Sequence, residues 1–253
     1  MYEYSPVWPH GNLREIFAEV FFVTGTNKTQ HAGVEIQTSR NMVVVRRDQA
    51  LTLLNTVRLD DAGLHCLEAL GRVRDIIRLG AFHGRDDPFY RDRYGAKLWA
   101  LPGSMHADGR AADCLLHPQR PLPIDDSELF VFESAKFPEA ALLLRQDGGV
   151  LVTCDAVQNW TAVDPYFSPD CGARFMAEGL IRPMNIPSTW RQACAPDPAD
   201  FRRLLELQFR HLISAHGEPS VGEAHAQLCA SVTEAFGSAE HPGGPGVRAG
   251  ARV

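Results

Sequence analysis

The chain has 253 residues, 45% of them hydrophobic, with 25 lysines and arginines against 31 aspartates and glutamates, a net charge of −6. That is enough apolar chain for one large core or two small ones, and the acidic balance excludes a partner held chiefly by phosphate neutralisation, so nucleic acid is not the expected ligand. The opening MYEYSPVWPHGNLRE lacks the apolar run of a signal peptide, no stretch reaches the roughly eighteen apolar residues of a membrane span, and six scattered cysteines without a CxxC pair suit reduced thiols, so a soluble cytoplasmic protein with no membrane partner is expected.

Apolar and β-branched runs at 16–26 (IFAEVFFVTGT), 41–48 (NMVVVRRD) and 50–59 (ALTLLNTVRL) predict a meander of antiparallel strands. DDAGLHCLEALGRV (60–73) predicts a helix, with Asp60 and Asp61 at its start, Leu64, Leu67 and Leu70 at helical spacing, and an end near Gly71. VRDIIRLGAF (73–82) returns to strand, DPFYRDRYG (87–95) is a short helix with Pro88 in its first turn, and AKLWALPG (96–103) is strand again. This alternation implies parallel pairing under helices.

A second strand-rich block follows at 127–135, 140–148 and 149–156, the last two joined through Asp147-Gly148-Gly149, a hairpin signal. Residues 157–198 mix prolines with Trp160, Tyr166, Phe167, Phe175 and Trp190, and read as a folded, lid-like excursion rather than a linker. DPADFRRLLELQFRHL (197–212) predicts an amphipathic helix capped by Asp197 or Asp200, ISAHGEP (213–219) a strand running into a turn, and 220–237 a last helix. One domain over 1–236 is expected, with a disordered Gly/Pro-rich tail at 237–253.

Three dispersed pieces place an acid or imidazole directly after a β-like run: His83 and Asp87 after VRDIIRLGAF, Asp155 after GVLVTC, and His216 after RHLISA. Strand ends on one side of an α/β sandwich converge, so these residues are candidates for one site, and their nitrogen and oxygen donors suit zinc, iron or manganese. Motifs for nucleotide cofactors and serine hydrolases are absent.

In these pieces the chain resembles the metallo-β-lactamase superfamily. LVTCDA is similar to that superfamily's LLTGD segment, ISAHGEP to its PGHG-type final motif, and FHGRDDP stands where its HxHxDH motif would lie. The resemblance covers roughly 16–236 and implies an α/β, four-layer αββα sandwich with the site at the sheet edges. It also carries departures. HxHxDH laid on His83-Gly84-Arg85-Asp86-Asp87-Pro88 keeps the first histidine and the aspartate but puts Arg85 and Pro88 at the other two histidines. Lys136 stands where the middle motif has a metal-binding histidine. Carried over by position, the first metal site retains only His83 and Asp155, and the second retains Asp87, Asp155 and His216.

Neither guanidinium nor ammonium ligates a cation, but each can replace its charge. Arg85 and Lys136 are therefore expected to compensate Asp155 and Asp87 through ion pairs. Two readings follow. In one the chain is a one-metal hydrolase of a small-molecule ester, amide or thioester, with His83, Asp87, Asp155 and His216 as ligands and His83 or Asp87 as acid/base. In the other it is a metal-free, catalytically silent binding or sensory module that receives an anionic small molecule on Arg85 and Lys136. His106 is expected as a surface-loop residue, Asp86 as a helix cap, and Cys154 as core packing with its side chain turned away from that of Asp155.

Overall fold

In the computed structural model, which describes residues 2–31 and 33–237, eleven strands form two mixed sheets flanked by six helices. The first sheet runs in chain order from β1 (Arg14–Phe17) and β2 (Val20–His31) through β3 (Val34–Arg47) and β4 (Ala50–Leu54). The predicted first strand is thus two, with Glu19 at φ 64° in the tight turn between them. The next is longer than its apolar core, and the third stops at Leu54, where Asn55 takes φ 54°.

From β4 the chain passes through α1 (Asp61–Leu70), β5 (Arg72–Arg78), α2 (Asp87–Tyr94), β6 (Lys97–Ala100) and β7 (Cys114–Leu115). Strands β4 to β7 pair in parallel, as the helix–strand alternation requires. Asp60 caps α1 by accepting from the Gly63 amide at 2.8 Å.

The second sheet holds β8 (Ser127–Val131), β9 (Ala140–Leu144), β10 (Val150–Thr153) and, at its far edge, β11 (His211–Ser214), which pairs with β10 in parallel. Residues 157–198 carry α3 (Pro169–Ala177) and α4 (Ser188–Cys194), followed by α5 (Pro198–Leu204) and, at the end, α6 (Ala224–Phe236). The helix expected to reach 212 ends at Leu204. His211–Ser214 are buried beside β10, and sheet pairing there outweighs helical periodicity. The expected tail lies, from residue 238 onward, outside the described residues.

Strand alternation explains the apolar runs. Phe22, Val43 and Val45 face Leu142, Leu144, Val152 and Ile213 between the sheets. Their neighbours Phe21, Met42 and Val44 turn outward under α1 and α2, meeting Leu64, Leu67 and Tyr90. In the second sheet Leu143, Leu151 and Leu212 turn outward to meet Trp190, Phe201 and Leu228. Both faces of each sheet are covered, which produces helix, sheet, sheet, helix in four layers.

Candidate metal centre

The site forms where β5, β10 and β11 end. Asp155 lies two residues beyond Thr153 and His216 two beyond Ser214, and those strand ends are partners in register, so the two side chains emerge together. The turn carrying His216 is fixed from several sides. Ser214 Oγ donates to the Val157 carbonyl at 2.7 Å and accepts from the His216 amide at 3.1 Å. Asn41 Nδ2 donates to the carbonyls of Ser214 and Gly217. Gly217 sits at φ 84° against the Asn159 backbone, where a Cβ would collide. No larger residue fits there.

His216 Nε2 lies 3.0 Å from Asp155 Oδ1 and 3.2 Å from His83 Nε2, and His83 Nε2 lies 3.4 Å from the same carboxylate oxygen. The three residues are between 7 and 9% exposed. His216 Nδ1 is 3.0 Å from the Ser39 carbonyl, which only accepts, so Nδ1 carries a proton and Nε2 is the atom turned toward the cluster. Trp160 lies against the outer side of that ring, centroid to centroid 4.7 Å.

Burial alone would raise the Asp155 carboxyl, but His83 and His216 hold it well below the usual carboxylate range. Burial pushes His83 down, toward the neutral imidazole, against the pull of Asp155.

The donors fit one ion. Bonds of 2.0–2.1 Å at tetrahedral angles separate ligand atoms by about 3.3 Å, and the three separations here bracket that value. The Ser39 carbonyl on His216 Nδ1 is the outer contact that orients an imidazole ligand. His83 Nδ1, by contrast, is buried without a partner. Cys154 also belongs here. Its Sγ lies 3.7 Å from Asp155 Oδ2, and His83, Cys154 and Asp155 each offer a ligand atom within 4.8 Å of the others. The expectation that Cys154 turns away from Asp155 fails because β10 stops at Thr153, and strand alternation does not extend past it. Cys154 is nonetheless buried among the core side chains between the sheets, and burial and then Asp155 push its thiol pKa well up.

Asp87 goes elsewhere. Its Oδ1 accepts from Thr56 Oγ1 at 2.6 Å, and its Oδ2 faces Arg78 Nε at 3.8 Å. Burial raises its carboxyl pKa, and Arg78 and Thr56 only partly oppose this. The space beside it, lined by Gly84, Arg91, His106 and Asp108 among others, has no room for a water molecule. Asp86 does not cap α2 with its side chain; its Oδ2 accepts from the Arg58 amide at 3.1 Å and pairs with Arg40 at 3.4 Å. His106 is not idle in its loop, since its Nδ1 accepts from Arg78 at 2.8 Å. Gly84, at φ 114°, lets the Arg78 guanidinium pass where any Cβ would block it.

The charge expected from Arg85 and Lys136 is therefore supplied by other residues. Arg85 Nη1 donates to the Lys28 carbonyl at 3.1 Å, and Lys136 is exposed. Arg40 and Arg78, 5 and 2% exposed, carry the buried positive charge. Arginines inside the apolar runs SRNMVVV and DIIRLGAF were the available signal, because a guanidinium on a buried strand must find an acceptor. Glu139 was missed likewise. It is buried at the head of an all-apolar strand, and its Oε1 accepts from the Ala156 amide at 2.7 Å, steadying the turn that holds Asp155. Burial and then Asp155 push its carboxyl pKa well up.

No family model matches the chain and no curated protein matches it. Solved structures do. The crystal structure of VMB-1 aligns with a TM-score of 0.62 at 11% identity, covering 88% of this chain and 97% of that one. The metallo-β-lactamase FIM-1 from Pseudomonas aeruginosa, in its mono-zinc form, gives 0.61 at 13%, covering 91% and 97%. A metallo-β-lactamase from Pontibacter korlensis gives 0.57 at 13%, covering 88% and 98%. At such identities the likeness is one of architecture: this chain is a divergent protein of the metallo-β-lactamase fold, with a buried group of His, Cys and Asp side chains at the strand ends.

Proposed function

We propose that the protein is a mononuclear metal-dependent hydrolase of a small-molecule ester, amide or thioester, its ion held by His83, Asp155 and His216. The observation that carries this is the convergence of three ligand atoms within 3.4 Å of one another, with the tautomer of His216 set by Ser39. A carboxylate and two imidazoles need something positive between them, and their donor types suit zinc, iron or manganese. That the fold accommodates one ion in another chain, the mono-zinc FIM-1, supports the same reading here. The ion would supply an acidified water and polarisation of a carbonyl. The chain's own residues do the rest. Ser39 orients His216, Glu139 holds the 154–156 turn, and Cys154 stands within reach as a further donor. Asp87, bound to Thr56 and facing Arg78, is a positioning residue rather than a ligand.

Elemental analysis of the purified chain tests the proposal. About one equivalent of metal is expected, lost in His216→Ala and Asp155→Ala and retained in Asp87→Asn, since removing a ligand costs at least the 10–100-fold typical of an outer contact. Hydrolysis of a generic ester should stop on chelation and return with metal.

The second reading is a metal-free module for an anionic small molecule. It draws on Arg40, which acts on the charge of His83 although it is paired with Asp86, and on Lys136, exposed and with no ion pair among the described residues. A chain that purifies without metal and takes up none would favour it.

A further inference from the structure

The parallel strands that lead to the metal centre have a second, opposite end. There the first residues of β5 and β6 and the end of α2 frame a cleft of about 330 Å³, lined by Arg72, Arg74, Asp75, Tyr94, Gly95 and Lys97 among others. A seven-residue strand rising about 3.3 Å per residue puts it roughly 20 Å from His83.

The charges at this end are unbalanced. Arg72, Arg74 and Lys97 are all exposed, and none has an ion pair among the described residues, although the chain as a whole carries −6. Two of the nearby acids are engaged. Glu68 takes Arg93 at 3.1 Å and the Tyr94 hydroxyl at 2.8 Å, and Asp75 accepts from Trp99 Nε1 at 2.7 Å. The lining thus holds three cations and one carboxylate, which is already bonded.

The backbone shows how two of them flank a buried residue. Leu51 pairs with Val73, but Thr52 pairs with Asp75, so Arg74 is an extra residue, a β-bulge in a parallel pair. Bulges are uncommon between parallel strands, and they re-aim a side chain. Here the bulge buries Val73 and Ile76 in the same core although they are three apart, and leaves Arg72 and Arg74 outside on either side of Val73. A regular strand would place Val73 and Ile76 on opposite faces.

We propose that this cleft is an anion site for a phosphorylated small molecule, gripped by the Arg72 and Arg74 guanidinium groups and the Lys97 ammonium. Guanidinium forks match phosphate oxygens, and lysine adds a point charge. The volume is that of a small ligand pocket. Tyr94, its hydroxyl pinned by Glu68, makes a fixed wall.

Calorimetric titration of the full chain with inorganic pyrophosphate, in chelator at low ionic strength, tests this. One site is expected. Arg72→Gln combined with Arg74→Gln should weaken it by tenfold or more, on the order of one lost charge-assisted contact, and Lys97→Gln should weaken it in the same direction. Arg93→Gln, at the same end but outside the lining, should change it less than about twofold. His216→Ala should leave it intact. No binding by the wild-type chain, binding undiminished in the double variant, or binding lost in His216→Ala would each overturn the proposal.

Discussion

Two clusters of buried polar side chains lie near each other at the C-terminal ends of the parallel strands, and they solve the burial of charge differently. In one, Nε2 of His83, Oδ1 of Asp155 and Nε2 of His216 turn toward a single point, and no guanidinium or ammonium pairs with any of the three among the described residues. In the other, Asp86 meets Arg40 and Asp87 meets Arg78. A single stretch, HGRDDP, feeds both, since His83 belongs to the first and Asp86 and Asp87 to the second. The difference teaches that acidic and imidazole side chains from one short stretch can be satisfied in two separate ways. Where arginine arrives on a neighbouring strand, the carboxylate is claimed by the protein. Where it does not, the donor set stays open to an ion.

The most severe way to probe this contrast is to remove Arg78. It is 2% exposed and its Nε faces Asp87 Oδ2 at 3.8 Å. Arg78→Met leaves a buried carboxylate without its cation and should destabilise the fold by roughly 3–5 kcal/mol, read by denaturant unfolding. Asp87→Leu in the same chain should return most of the loss. If Arg78→Met unfolds no more easily than wild type, the second cluster is not held by charge pairing.

The first cluster should answer to metal instead. A ligand bound only by the native state at 100 times its Kd adds about 2.7 kcal/mol. Zinc should therefore raise the melting temperature of the wild-type chain and of Asp87→Asn alike, and leave that of His216→Ala unchanged. A zinc response lost in Asp87→Asn would merge the two clusters into one.

Much of this could be read from sequence, and the limit has a physical origin. The layers followed from patterning, because strands covered on both faces need apolar residues at nearly every position, as in MVVV and ALLL. His83, Asp155 and His216 could be placed because a polar residue just past a buried strand has one place to go. The partner cations could not be placed by motif alignment. Arg85 and Lys136 sit at the aligned positions, but their backbone directions carry them to the Lys28 carbonyl and to solvent. Arg40 and Arg78 come from strand interiors the alignment does not mark, and only the question of what a buried guanidinium bonds would have found them. The boundary of α5 failed for a related reason. LELQFRHL has helical spacing, but β10 offers HLIS a parallel ladder, and pairing across the chain outweighs a local period.

The smallest expected effect separates the clusters by the sign of a pH slope. Burial raises the Asp87 carboxyl pKa above the roughly 3.9 of an unfolded chain. Between those two values the native state holds a proton that the unfolded state has released, so this group's contribution falls as pH rises through the window. Each unit of elevation amounts to about 1.4 kcal/mol. Asparagine has no proton to lose, and the broken contact with Arg78 adds an offset that does not titrate. The wild-type chain should therefore lose ground to Asp87→Asn as pH rises from about 4 toward 7, measured by denaturant unfolding in chelator. A carboxylate held by a metal or a tight ion pair has the opposite sign, its contribution vanishing as pH falls. If the wild-type advantage grows with pH, Arg78 outweighs burial at Asp87 and holds its carboxyl ionised.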